Sequence, residues 1–135
     1  NFNFYTSGSN GFVDVRDVVA ALLTISDNRT NNKRFIVVGE NMPYRILANH
    51  IAKAFGNPAP QREAKKWLTE ILWRLEKLRS VLFNIDPLIT KETAHSARST
   101  WCYSNKRATE QLDLNFRPSD KSIADFVAFY KKSNP

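Results

Sequence analysis

Several groups of side chains carry the types that chemistry needs. Asp14 and Asp17 lie three residues apart, a spacing at which two carboxylates could share acid–base work on one helix face. The same spacing suits a helix start: an aspartate caps the first turn, and a second carboxylate favours the positive end of the helix dipole. The architectural reading outweighs the catalytic one. His50, His95 and Cys102 are metal-ligand types, but their separations fit no zinc pattern, and no metal is expected. Cys102, between Trp101 and Tyr103, reads as a small packed hydrophobe. Arg98, Lys106 and Arg107 form a basic cluster. It is a solvated surface by default and, on the sharper reading, a contact for the phosphate of a nucleotide-linked substrate. Gly8-x-x-Gly11 has the spacing of a backbone-clamping RNA-binding loop, but that loop sits between two helices, and here a strand-like segment follows it.

These residues must be positioned by the elements around them. Asp14 opens a helix in which Val15, Val18, Val19, Leu22 and Leu23 recur at helical spacing. Ser26 to Asn32 is a polar turn. Arg34-Phe35-Ile36-Val37-Val38 is a continuous β-type run ended by Gly39, the pattern of a strand buried on both faces. Pro43 fits the start of a second helix, Tyr44 to Phe55. Gly56-Asn57-Pro58-Ala59-Pro60 breaks the chain. A long amphipathic helix from about Lys65 to Phe83 follows, with Trp67, Leu68, Ile71, Leu72, Leu75, Leu78 and Leu82 on one side, a face expected to be core or a domain interface. Thr90 caps a short helix through Ala97, Ser99 to Tyr103 is extended, Ser104 caps a helix through Leu112, and a last helix runs from Ser119 or Ser122 to about Lys132.

The fold class is therefore a helix-rich α/β. One strong central strand makes no sheet by itself, because its backbone groups need partners on both edges. The segment is expected to belong to a larger parallel sheet. The opening at Asn1, with Asn1-Phe2-Asn3-Phe4-Tyr5 already strand-like, leads to the same expectation.

Composition bounds the partners. With 20 Lys and Arg against 13 Asp and Glu, the net charge is +7, which favours an anionic partner of some kind. No dense basic stripe interleaved with aromatics supports nucleic acid. No apolar run reaches the roughly 20 residues of a membrane-spanning helix. A single cysteine fits a reducing, cytoplasmic setting, in which the sequon Asn28-Arg29-Thr30 would go unused.

Gly11-Phe12-Val13-Asp14-Val15-Arg16-Asp17-Val18-Val19-Ala20 resembles a signature from the second half of extended short-chain dehydrogenase/reductases, the NAD-dependent epimerase/dehydratase family. Arg34 to Glu40 resembles their late sheet strand, and Ile46 to Gly56 the helix after it. Leu88 to Thr93 and Tyr103 to Leu112 resemble C-terminal landmarks of the dihydroflavonol-reductase-like branch. Asp113 stands where that branch has glycine, and aspartate tolerates the left-handed helix end. The resemblance implies a division into the tail of the nucleotide-domain sheet (1–57) and a small helical, substrate-covering region (58–135) of a Rossmann-type enzyme.

It also implies an NAD- or NADP-dependent oxidoreductase, epimerase or dehydratase as the parent, with hydride passing to or from a carbonyl or alcohol carbon. The branch favours a carbonyl reductase over a sugar-nucleotide epimerase. The family's glycine-rich dinucleotide turn is not in this sequence. Its general acid–base is a tyrosine four residues before a lysine, whereas Tyr5, Tyr44, Tyr103 and Tyr130 are followed at that distance by Ser9, Ala48, Arg107 and Asn134. No catalytic residue is therefore expected here, and no tight cofactor binding by this chain alone. Ser9, Asn10, Arg16 and Arg98 are the substrate-pocket candidates. A small-molecule substrate, the N-terminal Rossmann half and a homodimer or strand-exchanged oligomer are the expected partners. The alternative is a non-catalytic basic α/β module that binds nucleic acid or a protein.

Overall fold

The computed structural model describes residues 3–27, 32–87 and 89–134. Asn1 and Phe2 of the expected opening strand, the sequon at Asn28 to Thr30, and Leu88 lie outside the described residues. The elements run β1 (Phe4–Tyr5), β2 (Ser9–Phe12), α1 (Val15–Asp27), β3 (Glu40–Pro43), α2 (Tyr44–Phe55), β4 (Arg62–Glu63), α3 (Lys66–Phe83), α4 (Lys91–Ser96), α5 (Lys106–Leu112) and α6 (Ser119–Ser133). This is a helix-rich α/β arrangement with small sheets.

Local chemistry sets the helix ends. Asp14 accepts the Arg16 N–H at 2.8 Å and so caps α1. Pro43 precedes α2, and Gly56 ends it in the left-handed region at φ 76°, with Gly56 and Asn57 donating back to Lys53 and Ala52. At α4, the Thr93 N–H donates to Thr90 Oγ1, and the Thr90 N–H donates to Thr93 Oγ1. This is a reciprocal capping box with threonine in the place usually held by glutamate. The residue before α5 is Asn105, one later than the expected Ser104. Asp113 ends α5 at φ 51°, the left-handed turn expected of it.

The sheets are short. β2 and β3 pair antiparallel, from Ser9 opposite Pro43 to Phe12 opposite Glu40. β1 and β4 pair parallel through Phe4–Arg62 and Tyr5–Glu63. The other edge of β2 meets the 99–101 segment: Ser9 N–H donates to Ser99 O, and Trp101 N–H donates to Ser9 O. The extended stretch expected at Ser99 to Tyr103 is thus a single-bridge neighbour of β2. Regions 1–57 and 58–135 interlock through β1–β4, α1–α5 and α2–α6.

The expected strand at Arg34 to Val38 is not one. None of the described strands includes it, and the pairing residues begin at Glu40. A β-type run becomes a strand only where a neighbour supplies ladder partners. Phe35 and Val37 pack on a small core of Ala21, Ala108, Leu112 and Leu114 between α1 and α5. Ile36 points the other way and is half exposed. The apolar sides of two helices also differ from expectation. α1 turns Asp17 and Ala21 inward and leaves Val15, Val19, Leu22 and Leu23 exposed. α3 leaves Trp67, Ile71, Leu75, Leu78 and Leu82 exposed. Among the described residues, α5 packs on α1 and α4 packs on α3, and neither covers these side chains.

Candidate functional site

The residues singled out in the sequence occupy three separate places. Ser9 and Asn10 lie in β2. Ser9 Oγ points to the Trp101 carbonyl at 3.5 Å, and Asn10 folds its side chain onto its own strand, Oδ1 accepting from the Gly11 N–H at 2.8 Å. The Asn10 amide also donates to Tyr44 Oη at 3.4 Å. Tyr44 forms one wall of a cleft of about 770 Å³ between α2, β1 and the 57–62 connection, whose other walls are mainly Leu47, Ile51, Phe55 and Pro58. Asn10 therefore touches this cleft through Tyr44 and does not itself line it.

Arg16 borders a second cleft, about 590 Å³, between the start of α1, α2 and α6. Its guanidinium donates to Asp14 at 2.9 and 2.6 Å and to Asp125 of α6 at 2.8 Å. Hydrogen bonds to Asp14 first and Asp125 second hold the guanidinium even more firmly protonated than an ordinary arginine. The same Arg16 contact, with help from Ser122, pulls Asp14 well below the usual carboxylate range. Arg16 thus arrives with its charge already matched by two carboxylates. The walls around it are Phe12, Leu47, Ile51, Ile123 and Phe126. Such a cleft can grip an apolar body and offers fixed polar groups at its rim.

Arg98 lies elsewhere again. It joins the end of α4 to α3, donating to Thr69 Oγ1 at 2.6 Å and to the Lys66 carbonyl at 3.4 Å, with Glu70 at 3.5 Å. Glu70 is pushed down to about 2, first by the Trp73 indole N–H and then by Arg74. Arg98 is therefore a structural tie. Of the other basic residues singled out with it, Lys106 faces Glu110 at the surface and Arg107 reaches the Arg34 carbonyl. Cys102 is exposed and not packed. Among the described residues no group of three or more His, Cys, Asp or Glu side chains is placed to hold a metal, and no helix is long and apolar enough to cross a membrane.

Three polar residues organise this region without an advance signal. Asn41 makes both bonds of a ladder rung to Tyr103, donating to its carbonyl at 2.8 Å and accepting its N–H at 2.9 Å. Asn105 donates to the Val38 carbonyl at 2.6 Å. Arg117 meets the buried Asp17. Each partner lies more than 60 residues away in sequence, so no local pattern points to it. The Gly8-x-x-Gly11 spacing is explained by close approach. A Cβ on Gly8 would stand 2.7 Å from the Ala97 and Ser99 carbonyls, and one on Gly11 would stand 2.8 Å from Val38.

No family model and no curated protein matches the chain. Its fold does recur in a crystal structure of gox2253, with a TM-score of 0.74 at 21% identity, over 99% of this chain and 41% of that one. The likeness is one of fold. The chain spans about two-fifths of the length of that solved chain.

Proposed function

We propose that this chain is the substrate-side, C-terminal part of an NAD(P)-dependent oxidoreductase, epimerase or dehydratase of the extended short-chain dehydrogenase kind. The observation that carries the reading is the Phe35–Val38 segment. It has the composition of an interior strand and packs one side on the α1–α5 core, yet it belongs to no strand. Ile36 of this segment is half exposed although Val38 is buried, and Val15, Val19, Leu22 and Leu23 on α1 are exposed. The remainder of a parallel sheet would cover such faces. The likeness to part of a longer chain supports this.

On this reading, hydride transfer between nicotinamide and a carbonyl or alcohol carbon belongs to the whole enzyme. The residues present here do not fit a dinucleotide. The glycines that might cradle a pyrophosphate, Gly8 and Gly11, are filled by the 97–99 backbone, Val38 and Tyr103. The role left to this chain is to shape the apolar walls of the substrate site. The chain is titrated with NADH and NADPH, following nicotinamide fluorescence, and its amides are followed by hydrogen exchange. No saturation below about 1 mM is expected, with fast exchange at Phe35–Val38. Tight binding with turnover, or core-level protection of those amides in dilute solution, overturns the reading.

A further inference from the structure

The cleft between α2, β1 and the 57–62 connection has an apolar trough and a polar end. Leu47, Ile51, Phe55 and Pro58 form the trough. From Leu47 to Phe55 the helix rises by about 12 Å, which sets the length of the trough. At about 770 Å³ the cleft is the size of a small-molecule site. Arg45, in the first turn of α2, lies over the Tyr5 ring of β1 at 5.3 Å, which sets β1 beside the start of the helix. Arg62 stands opposite Phe4 in the adjoining strand. It therefore marks the same end of the cleft as Tyr44, and both side chains line it.

The charge at that end is unanswered. Arg16, Arg74, Arg79, Arg98 and Arg117 each meet a carboxylate. The Arg62 side chain is exposed and has no hydrogen-bond or ion-pair partner among the described residues. No carboxylate is among the residues that line the cleft, and α2 carries none along its length. Tyr44 Oη accepts from the Asn10 amide and keeps its own proton to donate. At the far end Lys131 lies 5.7 Å from the centre of the Phe55 ring and reaches the Ala54 carbonyl, so that end offers no acid either. A free guanidinium meets a carboxylate through two parallel N–H bonds. A phosphate monoester brings nearly two negative charges, and the cleft lining holds one arginine and no lysine to meet them.

We infer that this cleft binds a small carboxylic acid with an extended aliphatic body. The carboxylate meets Arg62 and the Tyr44 hydroxyl, and the body lies along Leu47, Ile51 and Phe55. Where the parent is the oxidoreductase proposed above, that acid is its substrate, an oxo or hydroxy acid; this last step rests on that reading, and the binding itself needs no cofactor.

The probes are octanoate, its neutral isostere octanamide, and octyl phosphate, each titrated into the nitrogen-15-labelled full chain of 135 residues and followed by amide NMR. Octanoate is expected to bind with a Kd below about 1 mM, at least about fivefold more tightly than octanamide, with the largest shifts at Leu47, Ile51, Ala52 and Arg62. Arg62→Gln brings octanoate down to the affinity of octanamide and leaves octanamide where it was. That side chain is exposed and ties nothing down, so the variant keeps its fold. Ala52→Phe fills the trough and removes binding of both. Equal affinity of octanoate and octanamide, a preference that survives Arg62→Gln, tighter binding of octyl phosphate, no binding, or shifts gathered on the exposed faces of α1 and α3 each overturns the inference. The titration uses no nicotinamide, so its failure leaves the oxidoreductase reading to its own test.

Discussion

Arg117 meets the buried Asp17 carboxylate twice, through its backbone N–H at 2.8 Å and through its guanidinium. The exchange runs the other way as well, since Arg16 of α1 reaches Asp125 of α6. Helix α1 thus trades arginines with α6 and the connection that leads into it across one junction. The two contacts differ in setting: the Asp17 side chain is almost wholly buried, whereas Asp125 is open to water. Asp17→Ala strips a donor pair of its acceptor and is expected to cost about 2–3 kcal/mol. Asp125→Ala, at the exposed contact, should barely move the midpoint. Urea denaturation of both variants checks the order.

Glu70 supplies a pH prediction. Its carboxyl is depressed from its ordinary 4.5 to about 2, first by the Trp73 indole and then by Arg74. A folded value below the unfolded one means that the group's contribution is complete above about 4.5 and drains away as pH falls toward about 2. The Trp73 indole N–H resonance is expected to follow this proton, with a midpoint near 2 and not near 4.5. Trp73→Phe should move the Glu70 midpoint upward, as read by carboxyl NMR.

The glycines separate close approach from backbone strain. A Cβ on Gly8 meets two backbone carbonyls, which have little freedom to retreat. Gly8→Ala should cost about 3 kcal/mol and loosen the 97–101 segment. Gly56 has open space around it but a left-handed φ of 76°. Gly56→Ala should cost about 1 kcal/mol. Thermal denaturation with amide exchange at Ser99 and Trp101 distinguishes the two effects.

The helices were legible because their signals are local. The Tyr44 to Phe55 helix is bounded as its proline and glycine require, and Thr90 opens α4 as expected. Among the strands, β1 at Phe4–Tyr5 falls in the stretch read as strand-like, but β2 and β3 gave no such signal. Ser9-Asn10-Gly11-Phe12 and Glu40-Asn41-Met42-Pro43 are poor in β-branched residues and hold Gly, Asn and Pro. They pair because their neighbours bring them together. The strongest β-type composition, Phe35 to Val38, is unpaired for the converse reason. The candidate site shared that fate. Ser9, Asn10, Arg16 and Arg98 were chosen by local context, and their partners Trp101, Tyr44, Asp125 and Thr69 are distant in sequence.

The bare face of α1 makes its own prediction. Val19 and Leu22 are half or more exposed, so Val19→Lys with Leu22→Lys should leave the denaturation midpoint nearly unchanged. The same pair should suppress the concentration-dependent association that such a surface promotes. Static light scattering over a dilution series is the measurement. A large loss of stability would mean that these side chains are covered in the isolated chain.

The Tyr103 attachment depends on one side-chain amide, that of Asn41. One primary amide furnishes both halves of the rung to Tyr103. Its slow hydrolysis to aspartate would remove the donor and set an anion against the Tyr103 carbonyl. Aged samples should therefore lose the attachment of the segment that carries Asn105 and, through it, Val38. They should do so without any change in the helices; because Asn10 precedes Gly11 and is the faster site of the same loss, the gain of one dalton has to be mapped to the peptide that carries Asn41.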